Sequence, residues 1–237
     1  MCAKPHQTAV GASPNAITTI EFPSESGTRV RRVVTRSRAR PTGKYPSWKM
    51  GRMVQWESHN ELNAYRLLDA NPAVRAFYEQ PLAIHYCLDG EPHIHYPDTL
   101  VELGTSRELW EIKPASEAVK PENVARTRFM TEALQNHGFT YRMVLAEDLR
   151  REPRLSNVLT LLKYGRQPIG TLEREQLRLL LEKTGGLCWG AATSGDLGPR
   201  SRFVLSRLAL EGQLHVDIEQ PLSAHWRFTA NVDSRSA

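Results

Sequence analysis

PDTLVELGTSRELWEIK, residues 97–113, is the stretch on which the reading of this chain turns. It opens on Pro97-Asp98 and closes on Glu111-Ile112-Lys113, thirteen residues after Asp98. Side chains alternate between the two faces of a strand, so Glu111 and Lys113 share one face while Trp110 and Ile112 take the other. The single-residue spacer brings a carboxylate and an ammonium to one place. Taken alone, each element is ordinary: a Glu-x-Lys in a strand is most often a solvated face, and Pro-Asp is a common turn dipeptide. Their weight comes from what surrounds them.

Toward the N-terminus, Ser58-His59-Asn60-Glu61 has the form of a helical capping box, and Leu62, Tyr65 and Leu68 fall on one helical face. Asn71-Pro72 closes that helix. Extended runs are expected at 74–79, 82–88, 93–103 and 108–113, with Asp89-Gly90 as a two-residue hairpin turn. That turn pairs Leu88 with Glu91, Tyr86 with His93 and Ile84 with His95. The other face then carries His85, Ile94, Tyr96 and, with the strand unbroken, Asp98. His93 and His95 accordingly face away from Asp98, and His85 is the histidine expected beside it. Toward the C-terminus, Pro121 and Gly138 bracket a helix over 122–137, Phe139–Leu145 reads as a strand, and Ser156–Tyr164 as a short helix.

Residues 165–170, with Pro168, form a linker to a region of different texture. Helices are expected over 171–183, around 188–192 and over 199–211, followed by a hairpin of 214–219 with 225–229. Three helices and a two-stranded wing is the winged helix-turn-helix order, with Arg200 and Arg207 on one face of the third helix. The expected organisation is a flexible segment 1–28, a basic arm plus catalytic domain 29–164, and a winged-helix domain 165–237. The fold class is α/β, a mixed sheet flanked by helices, followed by the small winged-helix domain.

The net charge of +5 is unevenly spread. Residues 29–56 hold nine bases and no acid, and the remaining segments are near neutral or acidic. Arg31, Arg32, Arg36, Arg38, Arg40, Lys44, Lys49 and Arg52 in this block suit contact with the phosphates of double-stranded DNA, each cation releasing condensed counterions. Cys2, Cys87 and Cys188 are odd in number and widely separated, which argues against a disulfide framework or a cysteine zinc site. No run approaches the roughly 20 apolar residues of a membrane span, so a cytoplasmic protein is expected.

Glu61, Asp98, Glu111 and Lys113 together suit metal-dependent phosphodiester hydrolysis. Carboxylates favour Mg²⁺ or Mn²⁺, hard ions that prefer oxygen. Lys113 is placed to orient water and offset developing negative charge. Crowded carboxylates raise one another's pKa in the absence of a cation, so such a site is metal-linked. His93-Ile94-His95 has metal-ligand spacing but lacks a third ligand.

The motifs then take on a specific likeness. Thr42-Gly43-Lys44, Lys49-Met50-Gly51-Arg52, Glu57-Ser58-x-x-Glu61, Asn71-Pro72-x-Val74, Glu79-Gln80-Pro81, Pro97-Asp98 and Glu111-x-Lys113 resemble the TnsA family of heteromeric transposase endonucleases. The resemblance implies a restriction-endonuclease-like fold with a PD-(D/E)xK site. Glu61, Asp98, Glu111 and Lys113 would be the catalytic positions, and the three carboxylates would bind one or two Mg²⁺ (or Mn²⁺) ions. Glu57 is the alternative helix acid; the spacing to Pro72 favours Glu61. Some relatives carry Gln where Glu111 stands. The implied activity is nicking at the 5′ ends of a mobile element, beside a DDE transposase of the TnsB type and an AAA+ ATPase regulator of the TnsC type. The rivals are a stand-alone nuclease of the same fold and a non-catalytic DNA-binding assembly factor.

Overall fold

The structure, a computed structural model, describes residues 14–23 and 41–231. Strand β1 (Ala16–Glu21) is followed by the antiparallel pair β2 (Gly43–Ser47) and β3 (Arg52–Trp56), helix α1 (His59–Ala70) and strand β4 (Val74–Glu79). Two hairpins come next, β5 (Ala83–Leu88) with β6 (Glu91–His95), and β7 (Thr99–Leu103) with β8 (Ser106–Lys113). Helices α2 (Ala115–Ala118) and α3 (Pro121–Ala133) then lead to β9 (Thr140–Leu145).

The central sheet has the order β4-β7-β8-β9 and is mixed, because β9 runs parallel to β8 while the other pairs are antiparallel. A parallel neighbour needs a crossover, which α2 and α3 provide. A second sheet, β1-β5-β6, lies beside it. Asp89 and Gly90 both have positive φ, at 54° and 83°, and the turn they form sets the expected register of Ile84 with His95 and Tyr86 with His93.

Alternation along β8 fixes which helix meets which side chain. Leu109 packs with Met130 and Leu134 on the α3 side. Ile112 packs with Ala64 of α1, and Trp110 lies against the clusters on that same side. Glu111 and Lys113 therefore share the α3 face, and α1 covers the opposite one.

Two expectations need correction here. Residues 16–21, placed in a flexible N-terminal segment, form β1 and pair with β5 from Ala16↔Cys87 to Glu21↔Ala83. Ile17 and Ile20, brought to one side by a register shift between Ile17 and Thr19, pack against Leu82, Ile84 and Tyr86 and give that polar stretch a packed face. The rest of the segment 1–28, apart from residues 14–23, lies outside the described residues. The single run expected over 93–103 is also two strands in two sheets. Pro97 has no N–H to donate, and the chain leaves β6 at His95 and re-enters the central sheet through Asp98. Asp98 N donates to Trp110 O at 2.9 Å, and Gln80 N donates to Asp98 O at 2.9 Å.

The later elements are α4 (Ala146–Leu149), α5 (Arg154–Gly165), α6 (Thr171–Thr184), β10 (Leu187–Cys188), α7 (Trp189–Ser194), α8 (Ser201–Leu210), β11 (Leu214–Val216) and β12 (Arg227–Ala230). The three strands order as β10-β12-β11. One apolar cluster joins Val158, Leu161 and Leu162 of α5 to Leu177, Leu181, Val204, Leu205, Trp226 and Phe228. Gly165 permits the α5–α8 contact: a Cβ there would lie 2.6 Å from Leu210 Cδ1 and 2.9 Å from the Ser206 backbone. Among the described residues no helix is long and apolar enough to cross a membrane.

Candidate active site

The N-terminus of α1 forms because Ser58 and Glu61 satisfy its orphan donors. Ser58 Oγ accepts from Glu61 N at 3.2 Å, while the Glu61 carboxylate accepts from Glu57 N at 2.9 Å and Ser58 Oγ at 3.0 Å. Glu61 thus occupies the capping box. Its charge still reaches Asp98, around the end of the sheet that separates α1 from Glu111. Glu57, the alternative acid, accepts instead from Gln80 Nε2.

Asp98 is held where β8 runs on past the end of β7. Its Oδ2 accepts from Ile112 N at 2.7 Å. Burial pushes its carboxyl well above the usual aspartate range, and the charges of Glu111 and Glu61 push it further, against the opposing pull of Ile112 N–H and Lys113. Lys113 Nζ meets Glu111 Oε1 at 2.7 Å. Burial alone would lower the Lys113 ammonium, but Glu111 and Asp98 outweigh it and hold the group above the usual lysine range. Glu111 Oε2, by contrast, is buried without a hydrogen-bond partner.

Three more groups reach this centre from the α3 side. Arg126 NH2 stands 3.7 Å from Glu111 Oε1. His95 Nε2 lies 3.6 Å from Glu111 Oε2 and 3.0 Å from the Tyr141 hydroxyl. Burial pushes the His95 imidazole down to about 4, so it is neutral near pH 7 and makes no ion pair with Glu111. Burial, followed by the Glu111 charge, raises the Tyr141 hydroxyl.

His95 is thus on the Glu111 side, contrary to the sequence expectation. His85, expected near Asp98, contacts Glu21 at 3.3 Å. The cause is the break at Tyr96–Asp98, since strand parity counted along β6 does not carry into another sheet. Pairing His95 with Tyr141 and Arg126 with Glu111 requires the α2–α3 crossover, for which local spacing has no signal.

Among the described residues, no three His, Cys, Asp or Glu side chains converge as a ready metal cage. The buried Glu111 and half-buried Asp98 carboxylates do fit Mg²⁺ or Mn²⁺, ions that commonly use one or two carboxylates and complete their shell with water and substrate phosphate. The unpartnered Glu111 Oε2 and the crowded Asp98 carboxyl are the observations that favour such a cation.

Residues 71–145 match the family model for the TnsA-like endonuclease N terminal. That stretch is similar to a TnsA-like endonuclease domain. The matched stretch contains His95, Asp98, Glu111, Lys113, Arg126 and Tyr141, and begins after Glu61. A comparison with curated proteins finds no match. The mixed sheet with helices on both faces fits a restriction-endonuclease-like fold.

Outside the matched stretch, the expected DNA-binding cations divide. Arg31, Arg32, Arg36, Arg38 and Arg40 lie outside the described residues. Lys44 is exposed on β2. Lys49 and Arg52 have internal partners. Lys49 Nζ donates to Asn71 O and Val74 O, both at 2.5 Å, and burial lowers its ammonium to about 8. Arg52 forks onto the buried Glu79 at 2.9 and 2.6 Å. In the C-terminal region Arg200 pairs with Glu173 at 2.6 Å and Arg207 with Glu211 at 3.1 Å, so the arginines of the expected DNA-reading face have internal partners.

Proposed function

We propose that this chain is the metal-dependent DNA endonuclease subunit of a Tn7-type transposase, nicking the 5′ ends of a mobile element. The observation that carries the reading is the grouping of Asp98, Glu111 and Lys113 at one end of the central sheet, inside the stretch that matches the TnsA-like domain. Asp98 and Glu111 would hold Mg²⁺ or Mn²⁺, with Glu61 as the flanking acid. The ion would supply Lewis-acid stabilisation of a phosphoryl oxygen and a more acidic water.

The chain's own residues do the rest. The Ile112 N–H fixes the Asp98 carboxylate, and Lys113 keeps an ammonium beside Glu111 to offset charge developing on the phosphoryl group. Lys44 and the arginines of 29–40 would grip the duplex backbone. A DDE transposase of the TnsB type and an AAA+ ATPase of the TnsC type would complete the machine. Residues 165–237, with three helices and a short sheet, would serve as the winged-helix domain; its internally paired arginines favour protein docking there over base reading.

The test is cleavage of duplex carrying the element end, by purified chain with Mg²⁺ or Mn²⁺, with and without both partners. Partner-dependent nicking of the 5′ strand that is lost in Asp98→Asn and Lys113→Ala supports the reading. Vigorous cutting of unrelated DNA without partners supports a stand-alone nuclease instead.

A further inference from the structure

Arg126 is a cation at this centre that the chemistry above does not use. We propose that it is a phosphate-gripping catalytic residue, its guanidinium held beside Glu111 to bind a non-bridging oxygen of the scissile DNA phosphodiester. This inference rests on the nuclease reading of the same centre.

Its placement follows from the fold. Glu111 and Lys113 project from β8 toward α3, and Arg126 is the α3 side chain that stands over Glu111. Its orientation is fixed before any ligand arrives. Arg126 NH2 donates to Asn123 Oδ1 at 2.6 Å, and Asn123 Nδ2 donates to Glu117 O at 2.7 Å, which ties the guanidinium to α2. The Tyr86 and Tyr141 hydroxyls stand within hydrogen-bonding reach of it and help to hold it.

Its donors are nevertheless only partly consumed. Glu111 Oε1, the carboxylate atom paired with Arg126, is 3.7 Å away and already takes Lys113 Nζ at 2.7 Å. Arg126 Nε is buried with no hydrogen-bond partner. Arg52 shows what a structural arginine looks like in the same chain, with both ends of its fork on Glu79. Arg128 shows a surface one, 84% exposed beside Glu132. Arg126 is neither. It is oriented and partly buried, with hydrogen-bonding capacity left at the reaction centre. A planar fork of N–H donors matches a phosphate better than a point charge does. Lys113 and Arg126 would then meet the phosphate from β8 and α3, one as a compact ammonium and the other as a fork.

The experiment is steady-state nicking of element-end duplex by the full chain with both partners, alongside calorimetric Mn²⁺ binding to the chain alone. R126A should lower kcat by about 10²–10³ with KM little changed, the range for removing one preorganised donor. R126K, which keeps charge but loses the fork, should stay well below wild type. Millimolar guanidinium at matched ionic strength should partly restore R126A, and Mn²⁺ binding should persist in both variants. Wild-type nicking by R126A, full activity in R126K, or an R126A deficit that guanidinium does not relieve would each overturn the proposal. Where R126A does not fold, R126K keeps the test open. A wild-type chain that nicks nothing with metal and both partners present overturns the nuclease reading itself, a result distinct from wild-type nicking indifferent to Arg126.

Discussion

Asp69 and Glu111 are buried acids, Asp98 is a half-buried one beside Glu111, and the surroundings of Asp69 are opposite to those of the Asp98–Glu111 pair. Asp69 accepts from the Tyr45 hydroxyl at 2.8 Å, Ser47 Oγ at 2.5 Å, and the backbone N–H groups of Trp48 and Lys49 at 3.3 and 3.2 Å. Arg166 from the end of α5 adds a cation at 3.3 Å. Each Asp69 oxygen is supplied, and the carboxylate binds β2, α1 and α5 together. Asp98 has one backbone N–H and two neighbouring carboxylate charges, and Glu111 leaves Oε2 unpartnered. An unpaired buried polar atom costs about 1–3 kcal/mol, so a chain tolerates one where something else uses it. Burial does not distinguish a structural acid from a catalytic one; the completeness of its partners does.

The contrast breaks if the two acids respond alike to substitution. Asp98→Asn should reduce nicking by about 10³-fold, equivalent to ~4 kcal/mol of transition-state stabilisation, without lowering metal-free thermal stability. Asp69→Ala should do the reverse. Removing the carboxylate leaves its donors, Arg166 among them, unpaired at a cost of about 3–5 kcal/mol, which lowers Tm by roughly 6–20 °C in a chain of this size. Molecules that remain folded should still nick. Equal melting of the two variants in a thermal scan would erase the distinction.

Metal offers a smaller and more selective probe. Mn²⁺ at a hundredfold excess over its Kd should add about 2.7 kcal/mol, or roughly 5–10 °C, to the wild type and to Asp69→Asn. Asp98→Asn and Glu111→Gln should show little of that gain. A shift preserved in both would move the cation elsewhere.

The pH dependence of metal-free stability is subtler. Asp98 titrates higher in the fold than in the unfolded chain, so its stabilising contribution is complete at pH values below the ordinary aspartate range. That contribution is lost as pH rises through the elevated folded-state value. Asp98→Asn should remove that fall, leaving Tm higher relative to wild type as pH rises above the ordinary aspartate range, and an identical slope in the variant would contradict the environment described for Asp98. The least effect on stability is expected from Glu61→Gln. Glutamine can serve in the capping box, so unfolding free energy should change by about 0.5 kcal/mol or less, with nicking reduced less than in Asp98→Asn. A large stability loss would make Glu61 a structural cap and little more.

These comparisons also show which parts were legible in sequence. Local rules carried the capping box at Ser58–Glu61, the Asp89-Gly90 register and the shared face of Glu111 and Lys113, because each depends on residues within a few positions of one another. The helix over 122–137 resolves as α3 and a short 3-10 turn, ended by Gly138 at φ 76°, as a left-handed cap requires. Composition was less discriminating. It grouped Lys49 and Arg52 with the cations of the DNA arm, although Asn71, Val74 and Glu79, all more than twenty residues away, satisfy them. It also read residues 16–21 as part of a loose polar segment, where pairing with β5 supplies a strand.

Sequence by itself determined the motif Asp98, Glu111 and Lys113, the α/β class and the likeness to an endonuclease family. Tertiary structure alone decided what surrounds that motif. The chain changes sheets between His95 and Thr99, which resets strand parity and brings His95 to Glu111. The crossover from β8 to β9 then carries Arg126 and Tyr141 to the same carboxylate. Spacing rules hold only within a continuous element. A site assembled across a strand break and a crossover takes its remaining members from packing.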